Sequence, residues 1–158
     1  MQEIVIRKAA DTDLPAIVAM QNAAFHGEQG IPEDSVEHFS QKSPVCWCAF
    51  QGETLVGTVA AWQEEGRTHV GRFVVDPNYR GHHIGRRLIC TAFEDLFAEG
   101  AEELYMEARA ITVKLVKSVG GRVVGETVPF FGGTITPMTL EREAYRKAVK
   151  GPGAAAGC

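Results

Sequence analysis

No stretch of this 158-residue chain stays apolar for the roughly 18 residues that a membrane-spanning helix requires, so no span is expected. Its four cysteines, Cys46, Cys48, Cys90 and Cys158, show no spaced framework, and Cys46 and Cys48 would share one side of a single strand. A disulfide scaffold is therefore not expected, and the chain is assigned to a reducing compartment, most simply the cytoplasm. Cys46-x-Cys48 also lacks the second pair that a zinc site needs, and the adjacent His82 and His83 do not complete one, so no metal is expected. Neither G-x-x-x-x-G-K-[ST] nor G-x-G-x-x-G occurs, which argues against a nucleotide triphosphatase and a dinucleotide oxidoreductase. A broad basic face is missing too. The 16 basic residues are outnumbered by 20 acidic ones, for a net charge of −4, so neither nucleic acid nor an anionic membrane is an expected partner.

What is present fits one soluble domain: 45% apolar and 23% charged residues in a length that buries a real core. Residues 1–150 are assigned to that domain. The low-complexity tail 151–158 (GPGAAAGC) is expected to be disordered or an added remnant. The opening MQEIVIRKA alternates as a strand does and lacks the pattern of a secretion signal.

Further strands are expected at Val45 to Gln51, Thr54 to Gln63, Thr68 to Val75, Glu103 to Ala108, Arg122 to Val128 and Thr134 to Glu141. Helical spacing runs from Leu14 towards Phe25, over residues 33–41, from Ile84 to Ala98 and from Ile111 to Val119. Tyr145 to Lys150 adds a helical turn. The order β-α-α-β-β-β-α-β-α-β-β describes a mixed α/β domain with a sheet of about six to seven strands flanked by helices. Most aromatic residues, Trp47 and Trp62 among them, are assigned to the core. Phe130-Phe131-Gly132-Gly133 is a loop that could wall a pocket.

The densest chemistry lies at Asp76 to Leu88, DPNYRGHHIGRRL, between a strand and an amphipathic helix. A helix start offers unpaired N–H groups and partial positive charge. Glycines let a ligand approach that backbone, and Arg80, Arg86 and Arg87 add charge that pairs with phosphate oxygens. The corner is thus an expected anion site.

These residues resemble the acyl-CoA signature of the GNAT N-acetyltransferase superfamily, Q/R-x-x-G-x-G/A after a strand that ends V-x-P. Arg80 and Gly85 fit, while His83 stands where the middle glycine is usual. Ser118-Val119-Gly120-Gly121-Arg122-Val123-Val124-Gly125-Glu126 is similar to the family's "kLGFrvvGe". Ala24 to Pro32 resembles the "VFveEQgvP" of one bacterial subgroup. The resemblance implies a GNAT-like fold and acetyl-CoA as co-substrate. It places the CoA pyrophosphate on Arg80, Gly81, His82, His83, Ile84, Gly85 and Arg86. It places the pantetheine arm along Phe73, Val74 and Val75, and sets Arg109 where a loop asparagine is common.

Acetylation needs a neutral nucleophile. An amine with a pKa near 10.4 is neutral in about one molecule in a thousand at pH 7, so a base must offset roughly 4–5 kcal/mol. Counting back from Arg80, His69 falls where histone-acetylating members of the family keep a glutamate base, and imidazole titrates near working pH. Glu28 and Glu107 are further candidates. The tyrosine general acid of many members is replaced by Val116, and the usual phenylalanine after the glycine by Gly121. The expected activity is acetyl transfer to a primary amine, of a small molecule or a peptide, by direct attack in a ternary complex. Two alternatives stand beside it: a non-catalytic acyl-CoA-binding regulator, and a synthase moving a longer acyl chain onto an amino-acid-derived acceptor. Homodimer formation is left open.

Overall fold

Eight strands of one mixed sheet organise the protein, whose computed structural model describes residues 3–24 and 43–150. In chain order they are β1 (Ile4–Lys8), β2 (Val45–Gln51), β3 (Thr54–Glu64), β4 (Arg67–Val75), β5 (Glu103–Arg109), β6 (Arg122–Val123), β7 (Val128–Phe130) and β8 (Gly133–Glu141). The helices are α1 (Leu14–Gln21), α2 (Ile84–Ala98), α3 (Ala110–Ser118) and α4 (Arg142–Lys150). The sheet runs β1-β2-β3-β4-β5-β8-β6, and β7 also pairs with β8. Every pairing is antiparallel except β4 with β5. The helix expected over 33–41, the candidate Glu28 and the tail 151–158 lie outside the described residues.

Strand alternation decides which helix covers which face. Trp47, Ala49, Val59, Ala61, Val70, Leu104, Met106, Met138 and Leu140 point to one side. There they meet Leu88 and Phe93 of α2, Val116 of α3 and Tyr145 of α4. Each large side chain removed from water stabilises the fold by about 1.5–3 kcal/mol, so this layer dominates stability. Its two polar anchors are satisfied: Trp47 Nε1 donates to Asp95 at 2.7 Å, and the Tyr145 hydroxyl donates to Glu94 at 2.8 Å. The second bond is made from α4, a nine-residue helix where only a turn is expected from the sequence. On the opposite face, Ile17 of α1 packs with Cys46, Cys48 and Ala60. None of the helices among the described residues is long and apolar enough to cross a membrane.

The sheet holds more strands than expected because the segment Arg122 to Val128 does not run as one strand. Pro137 of β8 is the cause. Its carbonyl accepts from Val124 N–H at 2.9 Å, so its missing N–H falls on the same edge. The ladder breaks there, leaving β6 opposite Met138 and Thr139 and β7 opposite Gly133 to Ile135. Gly125 lies over the proline ring, where an added Cβ would come 2.6 Å from its Cγ.

Cys46 and Cys48 are free thiols, 6% and 0% exposed. Burial pushes them up to about 11 and about 12. The unfolded thiol ionises near 8.5, so the stability these groups contribute is complete below that pH and is lost as pH rises towards their folded values. Peptide-mapped alkylation at pH 8 is expected to spare both in the folded protein and to modify both in denaturant. Equal labelling under the two conditions would contradict their burial.

Candidate functional site

The sheet forks at its centre. β4 and β5 pair only through Thr68 with Leu104 and His69 with Tyr105. Beyond that point β4 follows β3 as far as Val75 opposite Gly57, while β5 follows β8 as far as Arg109 opposite Ile135. A bulge accompanies the divergence. Thr58 faces Val74 and Ala60 faces Gly71, so β4 carries an extra residue, and Arg72 takes φ +54°. Bulges bend a strand and increase its twist. The inner edges of β4 after His69 and of β5 after Tyr105 are thus left outside the ladder. Backbone polar groups require partners, and an extended chain carrying amides would meet them as an inserted strand.

At its upper end β4 runs into the basic corner. Asp76 accepts from Asn78 N–H at 2.9 Å and closes a short helical turn over Pro77 to Tyr79. Arg80 Nε donates back to the Val75 carbonyl at 3.2 Å. Gly81 has φ +88°, and His83 enters the left-handed region at φ 60°, ψ 14°. That conformation is one glycine adopts without strain, which is why glycine is expected at this position. Histidine is among the residues that tolerate it, at a cost of about 1–2 kcal/mol. No side chain caps α2, so the N–H groups of its first turn, from Ile84 to Arg86, face outward without intrahelical acceptors. Gly85 allows the helix to sit down on β4, because a Cβ there would lie 3.0 Å from the Phe73 ring. Arg86 donates to Ser118 Oγ at 2.9 Å, joining the start of α2 to the end of α3.

Below the corner, on the face covered by α1, one cross-strand row crosses the fork. Trp62 lies opposite His69, His69 opposite Tyr105, and Tyr105 opposite Thr139. Directly opposed residues share a face. The His69 ring stacks on Trp62 with centroids 5.6 Å apart and 25° between planes, and meets Tyr105 edge-on at 5.0 Å. Its Nε2 is sealed from solvent and has no hydrogen-bond partner, as is Oγ1 of Thr139. Buried polar atoms in native proteins are ordinarily paired, and among the described residues Gln21 Nε2, Arg86 Nε and Arg142 Nε stand unpaired as well. The Tyr105 hydroxyl makes a long hydrogen bond of 3.5 Å to Glu107, an exposed carboxylate. Burial, first, and then the charge of Glu107 push the phenol's pKa up.

The hairpin of β7 and β8 closes the side of this space. Phe131 and Gly132 take φ +40° and +79°, the paired positive values of a tight turn. Phe130 packs with Val74, Met20 and Ala24, while Phe131 is 42% exposed. Arg109, expected beside the coenzyme, is directed to this hairpin. Its Nη1 donates to the Phe130 carbonyl at 2.7 Å and its guanidinium lies 4.9 Å from the Phe130 ring centre. Val116 is fully buried, and an added Cβ on Gly121 would collide with it.

Trp62, Tyr105 and Thr139 are the site residues that sequence reasoning missed. A signal for Trp62 existed. The two-residue turn Glu65-Gly66 fixes the β3–β4 register and sets the indole opposite His69.

Residues 14–120 match the model of the acetyltransferase (GNAT) family. No curated protein sequence matches the chain. Among solved structures, Escherichia coli ElaA superposes with a TM-score of 0.76 at 20% identity, covering 89% of this chain and 100% of its own. An acyl-CoA N-acyltransferase from Pseudomonas aeruginosa gives 0.74 at 17% identity, covering 89% and 99%. The ribosomal-protein-S18-alanine N-acetyltransferase of Escherichia coli gives 0.71 at 21% identity, covering 88% and 94%.

The strained corner yields one expectation. His83→Val is expected to lose about 1–3 kcal/mol in urea unfolding, because a β-branched residue resists the left-handed region, whereas His83→Gly holds wild-type stability. Equal stability of the two variants would refute the strain. A second concerns position 116. Val116→Tyr is expected to cost about 1–3 kcal/mol by overpacking, with no gain in acyl-transfer rate. A stable variant with faster turnover would show that a hydroxyl there reaches the reacting atoms.

Proposed function

The chain belongs to the GNAT acetyltransferase family, and on that premise we propose that it transfers an acetyl group from acetyl-CoA to a primary amine by direct attack in a ternary complex. The observation that carries this reading is the fork between β4 and β5, ending in an uncapped helix start. In this reading the free edge of Phe73, Val74 and Val75 pairs with the amides of the pantetheine arm. The N–H groups from Gly81 to Arg86 receive the pyrophosphate, helped by the charges of Arg80 and Arg86. Arg109 acts indirectly, by holding the Phe130 hairpin against the acceptor space.

His69 first takes a proton from the acceptor's ammonium group on Nε2, the nitrogen with no partner of its own, and so frees the neutral amine for attack. Glu107, exposed at the mouth of the row, attracts the cationic amine, and Glu107 and Glu28 stay further candidates for the base. The neutral amine nitrogen forms a bond to the acetyl carbon as the carbon–sulfur bond breaks, and the second proton it must shed passes to the departing sulfur, so that CoA leaves as the thiol. Two activities from the sequence reading remain as competitors. Buried Val116 favours a regulator that binds acyl-CoA without turnover. A synthase would prefer a long acyl chain. A cytoplasmic location is part of this proposal.

Thiol release from acetyl-CoA across a panel of primary amines tests the proposal. His69→Ala is expected to lower kcat by about 10²–10⁴-fold on the best amine with KM for acetyl-CoA unchanged. Undiminished turnover in that variant would remove His69 as the base. Calorimetric CoA binding with no thiol release from any amine would instead establish the regulator, and preference for octanoyl-CoA the synthase.

A further inference from the structure

His69 is held on one side by a construction that nothing in the CoA cradle requires. The indole of Trp62 lies flat along β4: its Cη2 would be 2.8 Å from a Cβ at position 71, where the chain has only glycine. Trp62 Nε1 donates to Glu64 at 3.1 Å, which fixes the far edge of the ring system. The exposed face of that fixed plane carries the imidazole at 5.6 Å and 25°. Tyr105 meets the imidazole from β5, and Tyr105 is itself pinned by Arg67, whose guanidinium sits 4.2 Å from the phenol ring centre. Arg67 is set in place by Glu103 at 3.2 Å. An imidazole with no hydrogen bond at Nε2 has no polar contact there to orient it, so ring packing must do so.

We propose that Trp62 is a positioning residue: seated in the notch that Gly71 leaves open and tethered to Glu64, it fixes the plane of His69 so that Nε2 meets the acceptor nitrogen. This rests on the reading of His69 as the base. It goes further by assigning the geometry of the proton transfer to a residue that neither gives nor takes the proton. Proton transfer demands close alignment, so loss of the plane lowers turnover without weakening coenzyme binding. A phenyl ring retains a stacking face, whereas leucine does not. Gly71→Ala reaches the same end by another route, since its methyl group displaces the indole while leaving Trp62 in the chain.

The test is made on the full chain with acetyl-CoA and the best primary amine. Trp62→Leu and Gly71→Ala are each expected to lower kcat by about 10–100-fold, with KM for acetyl-CoA within about twofold, and Trp62→Phe to restore most of the rate. His69→Ala serves as the reference. Imidazole proton signals of His69, observed by NMR without turnover, are expected to lose the upfield ring-current shift in Trp62→Leu and to keep it in Trp62→Phe. A kcat unchanged in Trp62→Leu while His69→Ala is inactive would overturn the positioning role and leave the base intact. Full activity in His69→Ala would remove both. His69 signals unmoved in Trp62→Leu would overturn the clamp whatever the rates.

Discussion

Hydrogen bonding between the two parallel strands at the middle of the sheet stops after Tyr105, and the rest of the molecule is arranged around that interruption. β4 stays with β3 and β5 stays with β8, so the two halves of the sheet diverge like the blades of open shears. Such a gap costs unpaired backbone groups, and a packed protein rarely tolerates them without a partner to come. The helices make the gap sustainable. α2, α3 and α4 bind both halves into one apolar layer, with Leu88, Phe93, Val116 and Tyr145 spanning what the strands no longer join. The core therefore props the fork open as well as stabilising the fold.

In the proposed function the same strand carries two kinds of chemistry, one at its upper end and one farther down it. Its upper end feeds the uncapped start of α2, where backbone dipoles and arginines favour phosphate. Its middle holds half-buried His69 between two aromatic rings with one shielded nitrogen unpaired. Placing both on one rigid strand fixes the distance between the anchored end of a long co-substrate and the group proposed to handle the proton. The β7–β8 hairpin, tied down by Arg109, packs Phe130 with Val74 and with Met20 of α1 and leaves Phe131 exposed at its tip.

Much of this was legible in the residues. The strands from Val45 to Val75, helix Ile84 to Ala98 and the strand-to-helix corner between them follow from alternation, turn chemistry and glycine spacing, all of them local. What escaped reading was non-local or set by single atoms. The split of the Arg122–Val128 segment depends on which edge Pro137 presents to its neighbour, and this is settled only once β8 is paired. The length of α4 comes from Tyr145 docking on Phe93 and Phe97 across the layer. Resemblance sets Arg109 where a loop asparagine is common, and the Phe130 carbonyl that accepts from its Nη1 is not visible in the sequence. The row Trp62–His69–Tyr105–Thr139 spans four strands, and no periodicity within one of them reveals it. His83 is a mixed case: the departure from glycine was plain, but its left-handed backbone was not.

The central claim is that the fork and the helix start form one continuous cradle for coenzyme A. Titrating coenzyme A into ¹⁵N-labelled protein and following each backbone amide tests it most directly. The account requires the largest shifts on the inner edge of β4 from Val70 to Val75 and on Gly81 to Arg86, moving together with a single affinity. Shifts confined to another surface, or shifts at the corner with none along β4, would contradict it.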